Sequence, residues 1–271
     1  MLKRAVSSVV GCVSLLSLGT PAMAGPLQPL GPWDLDYGKT QCIASRKYGD
    51  ASDPVTLAIR QSPNGETYEI LVARKYRVSE PATEEEATVD FGTGPVKAWA
   101  LYYHTASKTL DVHQLRISAS DMAQARPATS VTLHMSGSSD QSFQLALMPQ
   151  LLDGLQTCTN DLKRYWNMDD RSTEVAKPAR GDVRGLFSSD DYPDMAQELG
   201  QEGTGQYLLL VDETGKVAGC QVLRATGAPI LDAMGCVVIE KRARFTPARD
   251  RNGKPVRDSV TTPPIRWQLE D

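Results

Sequence analysis

Cysteine and histidine are the residue types that could do chemistry in this chain of 271 residues. Beyond the N-terminal segment it has four cysteines, Cys42, Cys158, Cys220 and Cys236. An even number of cysteines in an oxidising compartment favours disulfides, and three pairings are possible. The spacing favours one bridge in each of two domains. No Cys-x-x-Cys pair or Cys/His cluster has the spacing of zinc ligands, so we predict no metal site.

The three histidines, His104, His113 and His134, all fall in predicted strands. The sequence places no serine or carboxylate to complete a triad with them. It also contains neither a Gly-x-Ser-x-Gly elbow nor a phosphate-binding loop. We therefore predict no catalytic residues and no cofactor, and a protein that is not an enzyme. The alternative is an enzyme whose site lies in the N-terminal domain.

Length and charge limit the remaining classes. The chain is long enough for two compact domains, and a hydrophobic content of 41% can fill their cores. The formal net charge is −4, and no run of Lys or Arg forms a phosphate-binding stripe. We therefore expect no nucleic-acid partner.

The N-terminus, residues 1–24, has the pattern of a signal peptide. Lys3 and Arg4 are followed by the uncharged and mostly apolar stretch Ala5–Leu18. Ala22-Met23-Ala24 then has the small residues that a signal peptidase recognises. We expect cleavage before Gly25 and a periplasmic protein. The alternative is an uncleaved segment that anchors the chain in the inner membrane.

Residues 25–166 predict a β-rich N-terminal domain of unknown role. Asn64-Gly65 between the apolar runs Val55–Ile59 and Tyr68–Val72 is a strong hairpin signal. Further segments, which predict more strands and then one helix, are Val96–Tyr103, Leu110–Ile117, Val131–Met135, Ser142–Leu147 and the helix Pro149–Trp166. Together they predict an antiparallel sheet with one C-terminal helix.

The predicted helix has an apolar stripe at Leu151, Leu155, Cys158 and Leu162. Cys158 therefore faces the sheet, from where it could reach Cys42 after the first strand. Closing so long a loop would stabilise the fold by about 4–5 kcal/mol in the chain-entropy model. The alternative is two buried free thiols.

Residues 167–184 are polar, without a sustained period, and predict a linker. Residues 185–271 predict the order helix, hairpin, helix, strand. The predicted elements are a helix Tyr192–Leu199, strands Gly205–Val211 and Val217–Leu223, a helix Leu231–Ala243 and a strand Arg257–Leu269. A basic patch at Lys241, Arg242, Arg244 and Arg249 could attract an acidic partner or glycan. The favoured alternative is that it complements the helix C-terminus.

This C-terminal pattern resembles the TonB C-terminal domain family over about residues 185–271. The matching residues are Tyr192-Pro193, Gly205, Asp212-x-x-Gly215-x-Val217, Val222, Leu231-Asp232, Phe245-x-Pro247-Ala248, Gly253-x-Pro255-Val256 and Trp267. Their common order and spacing carry the resemblance, since no single residue is specific. It implies an α+β protein whose C-terminal domain has a three-stranded antiparallel sheet and two helices. The pair Cys220 and Cys236 is similar to that of secreted branches of the family.

The resemblance also implies a function. Family members bind an extended segment of outer-membrane transporters, the TonB box, by adding it to an open strand edge. Expected partners are such a transporter or another envelope protein. The candidate partner-binding residues are Tyr192, Pro193, Ser259, Val260, Thr261 and Thr262. Pro263-Pro264 suits an edge strand because proline cannot donate ladder bonds; the alternative is that it only protects the edge from aggregation.

Three departures from the family bear on energy coupling. The chain has no histidine before His104, it lacks a Pro/Lys-rich spacer, and it has Ser189-Asp190-Asp191 where the family has Gln-Pro-Gln. Coupling to the proton motive force is therefore left open. The alternative function is an envelope binding module without energy coupling, one that recognises cell-wall material or a second copy of itself.

Overall fold

The computed structural model of this protein describes residues 25–77, 81–136, 139–168 and 174–269. The predicted signal peptide, residues 1–24, lies outside the described residues, as do residues 169–173 of the predicted linker. Within the described residues, no helix is long and apolar enough to cross a membrane.

The N-terminal region is an antiparallel sheet that curves as a half-barrel around a helix. Its strands are β1 (Asp34–Tyr37), β2 (Cys42–Asp50), β3 (Asp53–Gln61), β4 (Thr67–Lys75), β5 (Thr83–Asp90), β6 (Pro95–His104), β7 (Leu110–Ser118), β8 (Ser130–Met135) and β9 (Gln141–Gln144). They lie in the order β1-β2-β3-β4-β7-β6-β5-β8-β9. The chain thus leaves β4, crosses to β5, and returns so that β7 lies beside β4.

The predicted turn at Asn64-Gly65 joins β3 to β4. Gly65 donates its N–H to the Ser62 carbonyl (2.8 Å) and has a positive φ of 81°. Glycine adopts that conformation without the steric cost that a Cβ would bring. The turn therefore sets the register that brings Ile59 opposite Ile70, and both are buried in the N-terminal core.

Helix α2 (Met148–Tyr165) fills the half-barrel, after a short helix α1 (Ala119–Met122) and a 3-10 turn (Ala123–Ala125). The predicted stripe of Leu151, Leu155, Cys158 and Leu162 is buried. Cys158 forms a disulfide with Cys42 on β2, with a Cα–Cα distance of 5.9 Å. The helix is therefore linked covalently to the strand that it packs against.

The segment at residues 27–30 connects the two ends of the half-barrel. Leu27 donates its N–H to the Ser142 carbonyl (2.7 Å), and its own carbonyl accepts the Gln144 N–H (3.0 Å); both partners lie in β9. Leu30 donates to Lys47 on β2 (2.8 Å). Tyr48 of β2 also donates its hydroxyl to the Gln144 carbonyl (3.0 Å). These bonds satisfy backbone groups that the two strands would otherwise leave unpaired.

The C-terminal region is a small sheet packed on a helix. Its elements are α3 (Asp194–Glu198), β10 (Gly203–Val211), β11 (Val217–Arg224), α4 (Pro229–Arg242), β12 (Ala248–Arg249), β13 (Pro255–Val256), β14 (Asp258–Thr261) and β15 (Ile265–Trp267), with 3-10 turns at Arg184–Leu186 and Ser189–Asp191. The α+β class is confirmed. β10 lies between β11 on one side and β14 and β15 on the other.

The final strand is divided in two. One continuous strand was predicted, whereas β14 and β15 both pair with β10 and are separated by residues 262–264. The register shifts by one residue across this gap. Leu208 lies opposite Thr261 and Gly205 lies opposite Ile265, so three steps along β10 correspond to four along the last strand. Pro263 and Pro264 have no N–H to donate, so the ladder is interrupted there.

Residues 175–183 of the predicted linker pack on the C-terminal region. Ala179 and Val183 are 8% and 3% exposed and belong to its hydrophobic core. Arg180 and Thr246 exchange backbone hydrogen bonds of 3.0 and 2.8 Å. This part of the segment therefore helps to form the core of the domain that it precedes.

The two regions are in contact along β11 and α4. Arg116 on β7 lies 3.6 Å from Asp232 on α4, and Glu84 on β5 accepts the Ile230 N–H (2.9 Å). A Cβ built on Gly219 of β11 would lie 3.4 Å from the Thr40 Cβ. β11 and α4 therefore face the N-terminal region, whereas β14 lies on the other side of β10.

We predict that the two disulfides contribute unequally to stability. Replacing Cys42 and Cys158 with Ala opens a loop with a sequence separation of 116, whereas Cys220 and Cys236 are separated by 16. In the chain-entropy model the first pair should cost about 5 kcal/mol of the free energy of unfolding and the second about 3. Chemical denaturation of the two double variants measures both. A larger loss for the Cys220 and Cys236 variant would contradict this ranking.

Candidate binding site at the edge of the C-terminal sheet

The outer edge of β14 is an open edge of the small sheet. Val260 lies opposite Leu209, and Thr262 donates its N–H to the Tyr207 carbonyl (2.9 Å). Successive residues of a strand point their backbone groups to opposite sides. The N–H and C=O groups of Ser259 and Thr261 therefore point away from β10. Among the described residues, no strand pairs with this side of β14.

The first outward donor of this edge is already occupied. Ser259 donates its N–H to the Asp258 carboxylate (2.9 Å), and the other oxygen of that carboxylate accepts the Ala179 N–H (2.8 Å). Burial raises the pKa of Asp258. The Ser259 N–H is therefore not available to a partner strand at the end of the edge that meets Ala179. The backbone groups from the Ser259 carbonyl to the exposed Thr261 remain open.

Thr262 has a structural position. It is 2% exposed, and its hydroxyl oxygen accepts the Tyr207 N–H (3.0 Å). Gln206 donates to its carbonyl (2.9 Å). The polar groups of Thr262 therefore hold the end of β14 on β10 and are not presented outward.

An aromatic groove borders β15. Its walls include Phe187, Tyr192 and Trp267, and its volume is about 440 Å³. The Trp267 ring meets the rings of Phe187 and Tyr192 edge-on, each at 5.4 Å between centroids. Tyr192 also donates its hydroxyl to the Gln201 carbonyl (2.5 Å). Pro193 follows as the N-cap of α3. Of this motif only Tyr192 lines the groove.

An ion pair fixes the turn that carries Tyr192. Asp191 accepts two hydrogen bonds from the Arg242 guanidinium, of 2.6 and 2.7 Å. It also accepts from the Ser188 N–H and hydroxyl. The hydrogen bonds from Arg242 hold the pKa of Asp191 at about 2. This bidentate pair ties the turn to the last residue of α4.

Two features position α4 behind the sheet. Cys236 on α4 forms a disulfide with Cys220 on β11. Gly235 lies against the ring of Tyr207, where a Cβ would be 2.0 Å from the Tyr207 hydroxyl oxygen. A larger residue at this position would move α4 away from β10, so glycine permits the close approach.

The histidines lie elsewhere, on the N-terminal sheet. His113 Nδ1 is 2.7 Å from a Glu85 oxygen, and His134 Nδ1 is 2.6 Å from an Asp140 oxygen. Sequence reasoning missed these carboxylate partners. Glu85, for example, is 28 residues away from His113 and reaches it across β6. Among the described residues, no group of three or more His, Cys, Asp or Glu could hold a metal ion.

Residues 189–269 match the family model of the Gram-negative bacterial TonB protein C-terminal domain. Residues 189–269 are a TonB C-terminal domain. The family predicted from the sequence is thus confirmed for these residues, and the N-terminal region is unassigned. No curated protein matches the chain significantly. The family is non-enzymatic and implies outer-membrane transporter partners in general. Together with the disulfides it indicates the periplasmic side of the cell envelope.

Several motif residues of the TonB domain act in turns. Gly215 and Gly253 have positive φ angles of 83° and 80°. A Cβ on Gly215 would lie 1.9 Å from the Phe245 carbonyl oxygen. Phe245 is held at this position because it donates its N–H to the Gly215 carbonyl (2.8 Å). The motif glycine and the motif phenylalanine are therefore coupled by one close backbone contact.

We predict that the Asp191–Arg242 pair stabilises the domain in a pH-dependent way. The pKa of Asp191 is lower in the folded state than its unfolded value of about 3.9. Its contribution is therefore present above that value and is lost as the pH falls through about 2. Denaturation of Asp191→Asn should show a loss of stability at neutral pH that shrinks on acidification. Asp190→Asn, which removes the same charge from an exposed neighbour, is the control; equal losses for both would contradict a specific role of the pair.

Proposed function

We propose that this protein binds an extended segment of an outer-membrane transporter or another envelope partner by strand addition. In this proposal the segment pairs with the outer edge of β14, in or beside TonB-dependent transport. The observation that supports it is the unpaired edge from Ser259 to Thr261, in a domain whose family implies transporter partners. Backbone hydrogen bonds to such an edge supply affinity without a side-chain code.

Selectivity would come from the groove beside β15. An added strand that continues past residues 262–264 reaches the groove of Phe187, Tyr192 and Trp267. Aromatic walls contribute to binding through large buried areas, so this groove favours an apolar or aromatic side chain. The open part of β14 spans three residues, about 10 Å of strand. Main-chain pairing is therefore short, and the groove adds the rest of the contact.

The location and domain limits belong to the same proposal. The signal peptide would be cleaved before Gly25, and the mature protein would be periplasmic. The binding unit would be residues 185–271, joined through 167–184 to the N-terminal domain of residues 25–166.

Self-association is the second candidate function, since an open strand edge also accepts the same edge of a second copy. In that case β14 would pair with β14 across a twofold axis. Sedimentation equilibrium distinguishes the two: a concentration-dependent dimer that Thr261→Pro abolishes favours self-association, whereas a monomer that binds transporter peptides favours the main proposal.

We predict that Thr261→Pro weakens partner binding and leaves the fold intact. The substitution removes an N–H that points outward, and the bonds of Val260 and Thr262 to β10 are kept. The loss of one backbone hydrogen bond, and of the pairing register that it sets for the added strand, should lower the binding affinity by about tenfold or more. Calorimetric titration with synthetic peptides of the extended periplasmic segments of outer-membrane transporters from the same organism measures this.

Thr261→Ala is the matched control. It removes the side chain and keeps the backbone N–H, so strand addition should be nearly unaffected. If the alanine variant loses as much affinity as the proline variant, then the side chain of Thr261 carries the binding and strand addition is not the mode. If neither variant changes the affinity for a peptide that binds, the site lies elsewhere.

A further inference from the structure

A small patch of strands around β12 gathers basic residues on the surface of the TonB domain. Arg244 forms a β-bridge with Lys216, and Lys177 forms one with Arg249. Arg180 pairs with Thr246 between them. We call the five cations of these segments, Lys177, Arg180, Lys216, Arg244 and Arg249, the basic ribbon. Three stretches that are distant in sequence are thus brought together by backbone pairing.

The basic ribbon lies at the surface of the domain. Along the central segment, Phe245 and Ala248 are buried in the core, and Arg244 and Arg249 are exposed. Ala179 is buried likewise, beside the exposed Arg180. Each of these arginines is thus adjacent in sequence to a residue buried in the core. All five ribbon cations are exposed.

Acidic groups are few in the segment of Arg244 and Arg249, whereas Lys216 interacts electrostatically with Asp212. Residues 241–257 contain seven Lys and Arg and a single acid, Asp250, in a chain whose net charge is −4. The Asp250 carboxylate accepts the N–H groups of Asn252 (2.9 Å) and Lys254 (2.8 Å) within its own turn. Among the described residues, no ion pair to any of the five ribbon cations is found, whereas the neighbouring Arg257 pairs with Glu213.

We propose that the basic ribbon docks the TonB domain onto an anionic phospholipid surface. Each Lys or Arg held near such a surface attracts it electrostatically, and the attraction of several adds up. A binding surface for a protein partner would instead have apolar side chains at its centre. The large exposed apolar side chains of the described residues all lie outside the ribbon: Leu30, Tyr37, Trp99, Leu110, Leu147, Tyr165, Leu199 and Val237.

The basic ribbon continues into the proposed partner site. Ala179, between Lys177 and Arg180, donates its N–H to Asp258 at the start of β14 (2.8 Å). Val256 on β13, which pairs with Ala248, precedes β14 by two residues. Docking on lipid would therefore hold the open edge of β14 next to the membrane surface. The lipid proposal goes beyond strand addition and does not depend on it.

Vesicle co-sedimentation of the full mature chain tests the lipid proposal. The probes are vesicles of phosphatidylcholine alone and vesicles of phosphatidylcholine mixed with phosphatidylglycerol. We expect binding to the anionic vesicles only, and its release by salt, because salt screens these charges. The variant Arg180→Gln/Arg244→Gln/Arg249→Gln should weaken binding by about a hundredfold, from about 1 kcal/mol per cation and tenfold per 1.4 kcal/mol.

A second variant and a matched control keep the test decisive. Lys177→Gln/Lys216→Gln should weaken vesicle binding by about thirtyfold on the same scale, and it leaves the arginine contacts with backbone carbonyls in place. Lys39→Gln/Lys75→Gln/Lys97→Gln removes three exposed charges from the N-terminal sheet and should have little effect. The proposal is overturned if the wild-type chain does not bind anionic vesicles, or if the control variant weakens binding as much as the ribbon variants do. It is also overturned if inorganic phosphate, at the same phosphate concentration as the lipid, releases the chain from the vesicles.

Discussion

The C-terminal domain depends on the pairing of β10 along both of its edges. One edge bonds to β11, and the other bonds first to β14 and then to β15. Its side chains are divided in the same way, since Tyr207, Leu209 and Val211 lie in the C-terminal core and Leu210 lies in the N-terminal core. A strand that is satisfied on both edges has no free backbone groups, so a partner strand can be accepted only by its neighbours.

Of those neighbours, β11 lies beside the N-terminal region. That region packs on the face of the sheet there, where Leu210 joins its core and Thr40 approaches Gly219. On the other side it holds only the beginning of the last strand: the Arg257 guanidinium lies 3.9 Å from the centroid of the Tyr165 ring, and Asn167 donates to the Arg257 carbonyl (2.6 Å). The end of α2 therefore anchors the chain just before β14. The N-terminal region is thus in direct contact with the residue that precedes the strand that we propose as the acceptor.

The sequence predicted those parts of the structure that local chemistry determines. The turn at Gly65 and the Leu151–Leu162 stripe required only neighbouring residues, and the TonB motif fixed the order of the C-terminal elements. The division of the last strand was missed, although Pro263-Pro264 gave the signal. The Asp258 cap and the Asp191–Arg242 pair could not be predicted, because each joins groups that come together only after the strands and α4 have packed. The packing of Ala179 in the predicted linker was hidden for the same reason.

The central claim is that β14 offers unpaired backbone groups on its outer side, and residue-resolved amide hydrogen exchange of the unbound chain tests it most directly. The account predicts that the Thr261 amide exchanges at nearly the rate of an unstructured peptide, whereas the amides of Val260 and Thr262, which point toward β10, are protected to the level of the domain core. Strong protection of Thr261 in the monomer would show that its N–H is already bonded within the chain and would contradict the open edge.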